Sequence, residues 1–194
     1  MRIFGVILAG GQARRMGGAD KALMPLAGKP MIAHVVERFA PQVEALAISA
    51  NGDAARFDGF GLPVIPDADR LGPLSGILVA LDWAADAGAT AVVSVPVDAP
   101  FLPGDLVPQL LLAGRDGPAI AGAEGRAHPV FGLWPVDMRA RLAAFLASGV
   151  KPKVLDFCAL VDAGRAEFFD GTAFLNVNRP EDLARAEALI GGRQ

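Results

Sequence analysis

The chain has 194 residues, 53% of them hydrophobic and 20% charged, which suffices for one domain (1–194) with a sizeable core and would be cramped for two. Eighteen basic against 21 acidic residues leave a net charge of −3, which excludes a generally basic protein built to hold nucleic acid or an anionic membrane. A single cysteine, Cys158, excludes an internal disulfide and a multi-cysteine zinc site.

The net charge hides an asymmetry. Residues 1–30 carry Arg2, Arg14, Arg15, Lys21 and Lys29 against Asp20 alone, a net +4, so the other 164 residues carry −7. An anion is expected near this basic segment.

In chain order, the apolar run that starts at Ile3 is too short for a membrane span and is followed by glycines and two arginines. It reads as a buried strand over 3–8, and the expected location is the cytoplasm. Further runs without polar alternation predict strands over 45–49, 64–66, 91–95 and 119–121, covered on both faces. Helices are predicted between them over 31–39, 74–85 and 106–112. The last third is less regular, with a strand over 129–134, a helix over 136–146, a strand over 167–169 and a closing helix over 180–190. Cys158, inside the apolar stretch 154–161, reads as a buried structural thiol. This β-α-β alternation predicts a single-domain, Rossmann-like α/β fold: an open, mainly parallel sheet with helices on both faces and ligands at the carboxyl ends of its strands.

The sharpest local feature follows the first strand: Leu8-Ala9-Gly10-Gly11, then Arg14-Arg15-Met16-Gly17, then Asp20-Lys21. Glycines let backbone N–H groups approach phosphate oxygens closely. Arg15 can fork onto two such oxygens, and Lys21 can act as a mobile point charge. Only four lysines occur in the chain, and two of them, Lys21 and Lys29, follow this loop. Neither the P-loop nor the dinucleotide-fold glycine spacing occurs.

Together, L-A-G-G-x-x-x-R-M-G-x-x-x-K resembles the signature of the sugar-nucleotide and pterin nucleotidyltransferases. The Gly10-Gly11 form resembles the molybdenum cofactor guanylyltransferases, which join GMP to molybdopterin. Further matches span most of the chain: Gly28-Lys29-Pro30-Met31, Val64-Ile65-Pro66-Asp67, Gly72-Pro73-Leu74-Ser75-Gly76, Pro96-Val97-Asp98-Ala99-Pro100, His128-Pro129 and Phe174 through Leu183. The resemblance implies the nucleotide-diphospho-sugar transferase type of fold, GTP and molybdopterin or Mo-molybdopterin as substrates, Mg2+ as the metal, and a transient molybdoenzyme partner. Relatives that use CTP commonly carry L-A-A-G, so Gly10 bears much of the choice of base.

Candidate site residues follow from both lines. Leu8, Ala9, Gly10 and Gly11 are expected around the nucleotide, with Arg15 and Lys21 on its phosphates. Asp98 lies just beyond a buried strand, where a hard oxygen ligand suits Mg2+; an aspartate beside Pro100 also suits a self-bonded turn. The resemblance assigns the metal to Asp98 and makes Arg15, Lys21 and Asp98 the catalytic set. Asp67 could accept from N1–H and the exocyclic amine of guanine, with Asp69 as an alternative. Asn51 is a contact to base or ribose, whereas Ser49 stands where relatives often have a first asparagine. Asn176 and Asn178 alternate along an extended segment, so one can face ligand while the other caps the closing helix. The resemblance sets both near the pterin. Lys151 and Lys153 could meet the pterin phosphate or be solvated; His34 and His128 read as packing residues.

Two other readings stay open: a cytidylyltransferase, or a transferase acting on another phosphorylated acceptor, and a noncatalytic module that delivers finished cofactor.

Overall fold

A computed structural model describes residues 1–10, 20–67, 72–149 and 151–192. Strand β1 (Ile3–Leu8) is central and apolar on both faces, with Phe4 and Val6 toward one helical layer and Ile3 and Ile7 toward the other. Its Gly5 is required by a close approach, because a Cβ there would meet the Phe39 ring at 2.8 Å and Leu46 at 2.9 Å. A 3-10 turn at Lys21–Leu23 and a short ribbon, β2 (Pro25–Leu26) with β3 (Lys29–Pro30), lead into α1 (Met31–Phe39). Then come β4 (Ala45–Ser49), a 3-10 helix at Ala54–Phe60, β5 (Val64–Ile65), α2 (Pro73–Asp86), β6 (Ala91–Pro96) and α3 (Leu106–Gly114).

The remaining elements are β7 (Ala119–Ala123), β8 (Arg126–Pro135), α4 (Arg139–Ala147), α5 (Val154–Leu160), β9 (Gly164–Phe168) and α6 (Pro180–Gly191). The main sheet has order β5-β4-β1-β6-β8-β7-β9, and β8 is its one antiparallel strand among the described residues. Two residues, Glu124 (φ 50°) and Gly125 (φ 75°), join β7 to β8, the left-handed pair that a tight hairpin demands. A register shift between Ile120 and Ala121 lets β8 accommodate Pro129, which has no N–H for the ladder.

Two apolar clusters sandwich the sheet. One joins α1 and α3 to Ile7, Ile48, Val93, Val95 and Phe131; the other joins α2, α4 and α5 to Val6, Val92 and Trp134. Each buried aliphatic or aromatic side chain contributes about 1.5–3 kcal/mol. Within the second layer, buried Ser94 donates to the Val130 carbonyl (2.7 Å) and accepts from Trp134 Nε1 (2.9 Å), so both polar groups are satisfied. A third, smaller cluster of Leu26, Met31, Phe101, Val177 and Ala186 docks α6 against the ribbon. Among the described residues no helix is long and apolar enough to cross a membrane.

The predicted strands and helices are present, with shifted ends: 136–146 begins as a 3-10 turn at Val136–Met138, and the expected strand at 167–169 is Gly164–Phe168 with Phe169 fully exposed. The apolar stretch around Cys158 is a helix, α5, which periodicity over so few residues does not distinguish from a strand.

Candidate active site at the carboxyl ends of β1 and β6

From β1 the sheet grows outward through β4 and β5, then returns to the other side of β1 as β6. The carboxyl ends of β1 and β6 therefore border the crevice where successive connections diverge, the usual ligand site of open α/β sheets. Leu8 ends β1, and its carbonyl accepts from Val97 N (3.2 Å) while Ala9 N donates to Ser49 O (2.8 Å). Gly10 is exposed at that edge, and a Cβ on it would lie 3.7 Å from Asn51 Nδ2. Gly10 and Asn51 are thus neighbours although 41 positions apart.

Asp98 projects from the loop after β6. Its Oδ2 pairs with Lys21 Nζ at 2.5 Å, and the same ammonium donates to Asn178 Oδ1 at 2.5 Å. Both partners of the ion pair are largely buried, with side-chain exposures of 13% for Lys21 and 16% for Asp98. Val177 N donates to the Asp98 carbonyl (2.8 Å), which holds the 176–178 segment against the β6 loop. Three distant parts of the chain meet at one ammonium. Asp98 Oδ1, by contrast, is buried and has no hydrogen-bond partner among the described residues. An unpaired buried carboxylate oxygen is costly, so the site fits a hard divalent cation that would take this oxygen as a ligand.

Asp67 is 5% exposed and accepts from Ser75 Oγ (2.8 Å) in the first turn of α2. Gly76 beside it lets that turn press on the sheet edge: a Cβ there would meet Leu8 Cδ2 at 2.8 Å and Ser49 Oγ at 2.9 Å. Ser49 is 2% exposed beneath α2, so a residue there has little access to the crevice. Asn176 is exposed and Asn178 faces Lys21. Neither side chain caps α6. Asp182 does so instead, its Oδ2 accepting from the backbone N–H groups of Asn178 and Arg179, both 2.9 Å. Gly11, Arg15 and Asp69 lie outside the described residues.

His34 donates to the Leu26 carbonyl (2.8 Å) and ties α1 to β2. His128 stacks on Phe174 with ring centroids 4.6 Å apart. Burial, then the charges of Arg165 and Arg126, hold its imidazole below the usual histidine range. Cys158 is buried, and burial pushes its thiol up to about 11, the state of an unreactive structural cysteine. Lys151 and Lys153 are exposed before α5. A cavity of about 380 Å³ opens elsewhere, against Phe101, Gln109, Phe168 and Phe169, and none of the predicted site residues lines it.

Sequence reasoning missed Ser75, Asp182 and the Val177 backbone. Ser75 stood inside a matched motif; Asp182, three positions after Arg179, fits a helix-start signal. No linear signal marks Val177.

Residues 5–162 match the family model described as "MobA-like NTP transferase domain". The chain is 60% identical over 190 residues to a molybdenum cofactor guanylyltransferase of Cereibacter sphaeroides, covering 98% of each, and 52% identical to one of Rhodobacter capsulatus, covering 96% of each. Its fold resembles that of molybdopterin-guanine dinucleotide biosynthesis protein A from Archaeoglobus fulgidus, with a TM-score of 0.75 and 22% identity over 97% of this chain and 99% of that one. With identity this high over nearly its whole length, the chain belongs to the molybdenum cofactor guanylyltransferase family of MobA-like nucleotidyltransferases.

Proposed function

We propose that the protein transfers GMP from GTP to the terminal phosphate of molybdopterin or Mo-molybdopterin. A phosphate oxygen of the acceptor attacks the α-phosphorus of GTP, and pyrophosphate leaves. The observation that carries this reading is the meeting of Lys21, Asp98 and Asn178 at the crevice between β1 and β6, with one Asp98 oxygen lacking a hydrogen-bond partner among the described residues. The kinship to guanylyltransferases supplies the substrates.

In this reading the Leu8, Ala9, Gly10 and Gly11 backbone borders the nucleotide. Asn51, beside Gly10, and Asp67, oriented by Ser75, hold the base and ribose. Lys21 and Arg15 neutralise the phosphates, and Asn176 and Asn178 face the pterin side. Mg2+ held by Asp98 would supply charge neutralisation at the phosphate oxygens. Two anionic reactants repel each other, so alignment and a fixed positive field supply the catalysis and no protein nucleophile is required. The acidic remainder of the chain suits a small anionic ligand better than a nucleic acid or a membrane. Cytoplasmic location and a molybdoenzyme that accepts the product complete the proposal.

The test is pyrophosphate release from GTP and from CTP, each with and without molybdopterin. Release from GTP that requires the pterin is expected. Release from CTP alone overturns the guanylyl assignment and leaves nucleotidyl transfer standing. Retention of cofactor without pyrophosphate release favours the delivery module and overturns transfer.

A further inference from the structure

Lys21 sits in a turn that a second ion pair holds. Asp20 precedes it and divides its carboxylate: Oδ1 accepts from Ala22 N (3.0 Å), capping the Lys21–Leu23 turn, and Oδ2 lies 2.6 Å from Arg56 Nε. Arg56 comes from the 3-10 helix after β4. It is itself fixed twice more, by donation from Nη1 to the Asp53 carbonyl (2.5 Å) and by the face of Phe57, whose ring centre lies 4.4 Å from the guanidinium carbon. Phe57 is fully buried in the α1/α3 layer, and Asp53 caps the Arg56 helix through Ala55 N (3.0 Å). A continuous path of contacts therefore runs from the core through Phe57 and Arg56, across the Arg56–Asp20 ion pair, which is a close charge contact without hydrogen-bond geometry at Nε, to the turn that bears Lys21.

The electrostatics make the path purposeful. A lysine is a compact charge on a flexible stem, and its value on a reacting phosphate depends on where its backbone starts. Asp98 and Asn178 restrain only the tip of the side chain, and the same tip must interact with phosphate during transfer. The Arg56–Asp20 pair restrains the base of Lys21 without touching its ammonium, so it can persist when the tip changes partner.

We propose that Arg56, acting through Asp20, is a positioning residue for Lys21. Its catalytic consequence rests on the guanylyl-transfer reading; its structural consequence does not. The experiment uses the full chain with Arg56→Gln and Asp20→Asn, the second retaining an oxygen that can accept from Ala22 N. Reductive methylation of the four lysines, followed by peptide mass spectrometry, reports the freedom of each amine. In the unsubstituted protein Lys21 labels more slowly than exposed Lys29, Lys151 and Lys153. Both substitutions raise the Lys21 rate severalfold and leave the other three unchanged, and both lower kcat with GTP by on the order of tenfold to a hundredfold. An unchanged Lys21 rate, a rise shared by all four lysines, or a rise in one variant alone overturns the clamp. Labelling needs neither GTP nor pterin, so that failure leaves guanylyl transfer standing, whereas an unsubstituted protein that does not turn over GTP overturns the transfer and leaves the labelling result intact.

Discussion

At the scale of single residues, Lys21 joins the parts of the candidate site. Its rarity as a lysine and its place after the glycine loop were visible in the linear chain, but its partners are 77 and 157 positions away and were not visible as a pair. Lys21 lies outside the apolar clusters, so Lys21→Ala should keep its circular dichroism spectrum, while its melting temperature falls because the largely buried Asp98 loses its counter-charge. Turnover should fall on the order of a hundredfold or more, the scale of one lost donor at a developing charge. Unchanged pyrophosphate release from that variant would remove Lys21 from the mechanism. Asp98 shows the complementary case. Its position after a buried strand marked it as a ligand candidate, and only the folded chain exposes the unequal fates of its two oxygens.

At the scale of elements, the central strands and their covering helices were legible because burial on both faces leaves continuous apolar runs and helix stripes leave a 3.6-residue period. The β2–β3 ribbon was too short to leave a period, and the β7–β8 turn hides its hairpin because glutamate occupies a position where asparagine or glycine is the usual signal. The start of α6 matters most for the site, since the same Asp182 carboxylate holds the backbone of Asn178 and Arg179. Asp182→Ala should cost about 1 kcal/mol of stability, read as a lower urea midpoint. It should also raise KM for the pterin acceptor more than KM for GTP. An equal rise in both would place the 176–178 segment outside the acceptor side.

At the scale of the whole molecule, one sheet with a core on each face implies that the layers fold together. The expected outcome is a single cooperative transition in urea, coincident by circular dichroism and by the fluorescence of Trp83 and Trp134, with the midpoint raised by GTP and Mg2+. Two separated transitions would contradict the one-domain organisation over 1–194. By itself the sequence determined the α/β alternation and singled out a glycine-rich basic loop and the candidate site residues, because periodicity, glycine spacing and charge are properties of neighbours along the chain. Tertiary structure alone decided that β8 runs antiparallel, that Ser49 lies under α2, and that Lys21, Asp98 and Asn178 share one ammonium. Those outcomes depend on which strand edges pair and which faces are covered, and close packing settles them across tens to hundreds of residues where no local pattern reaches.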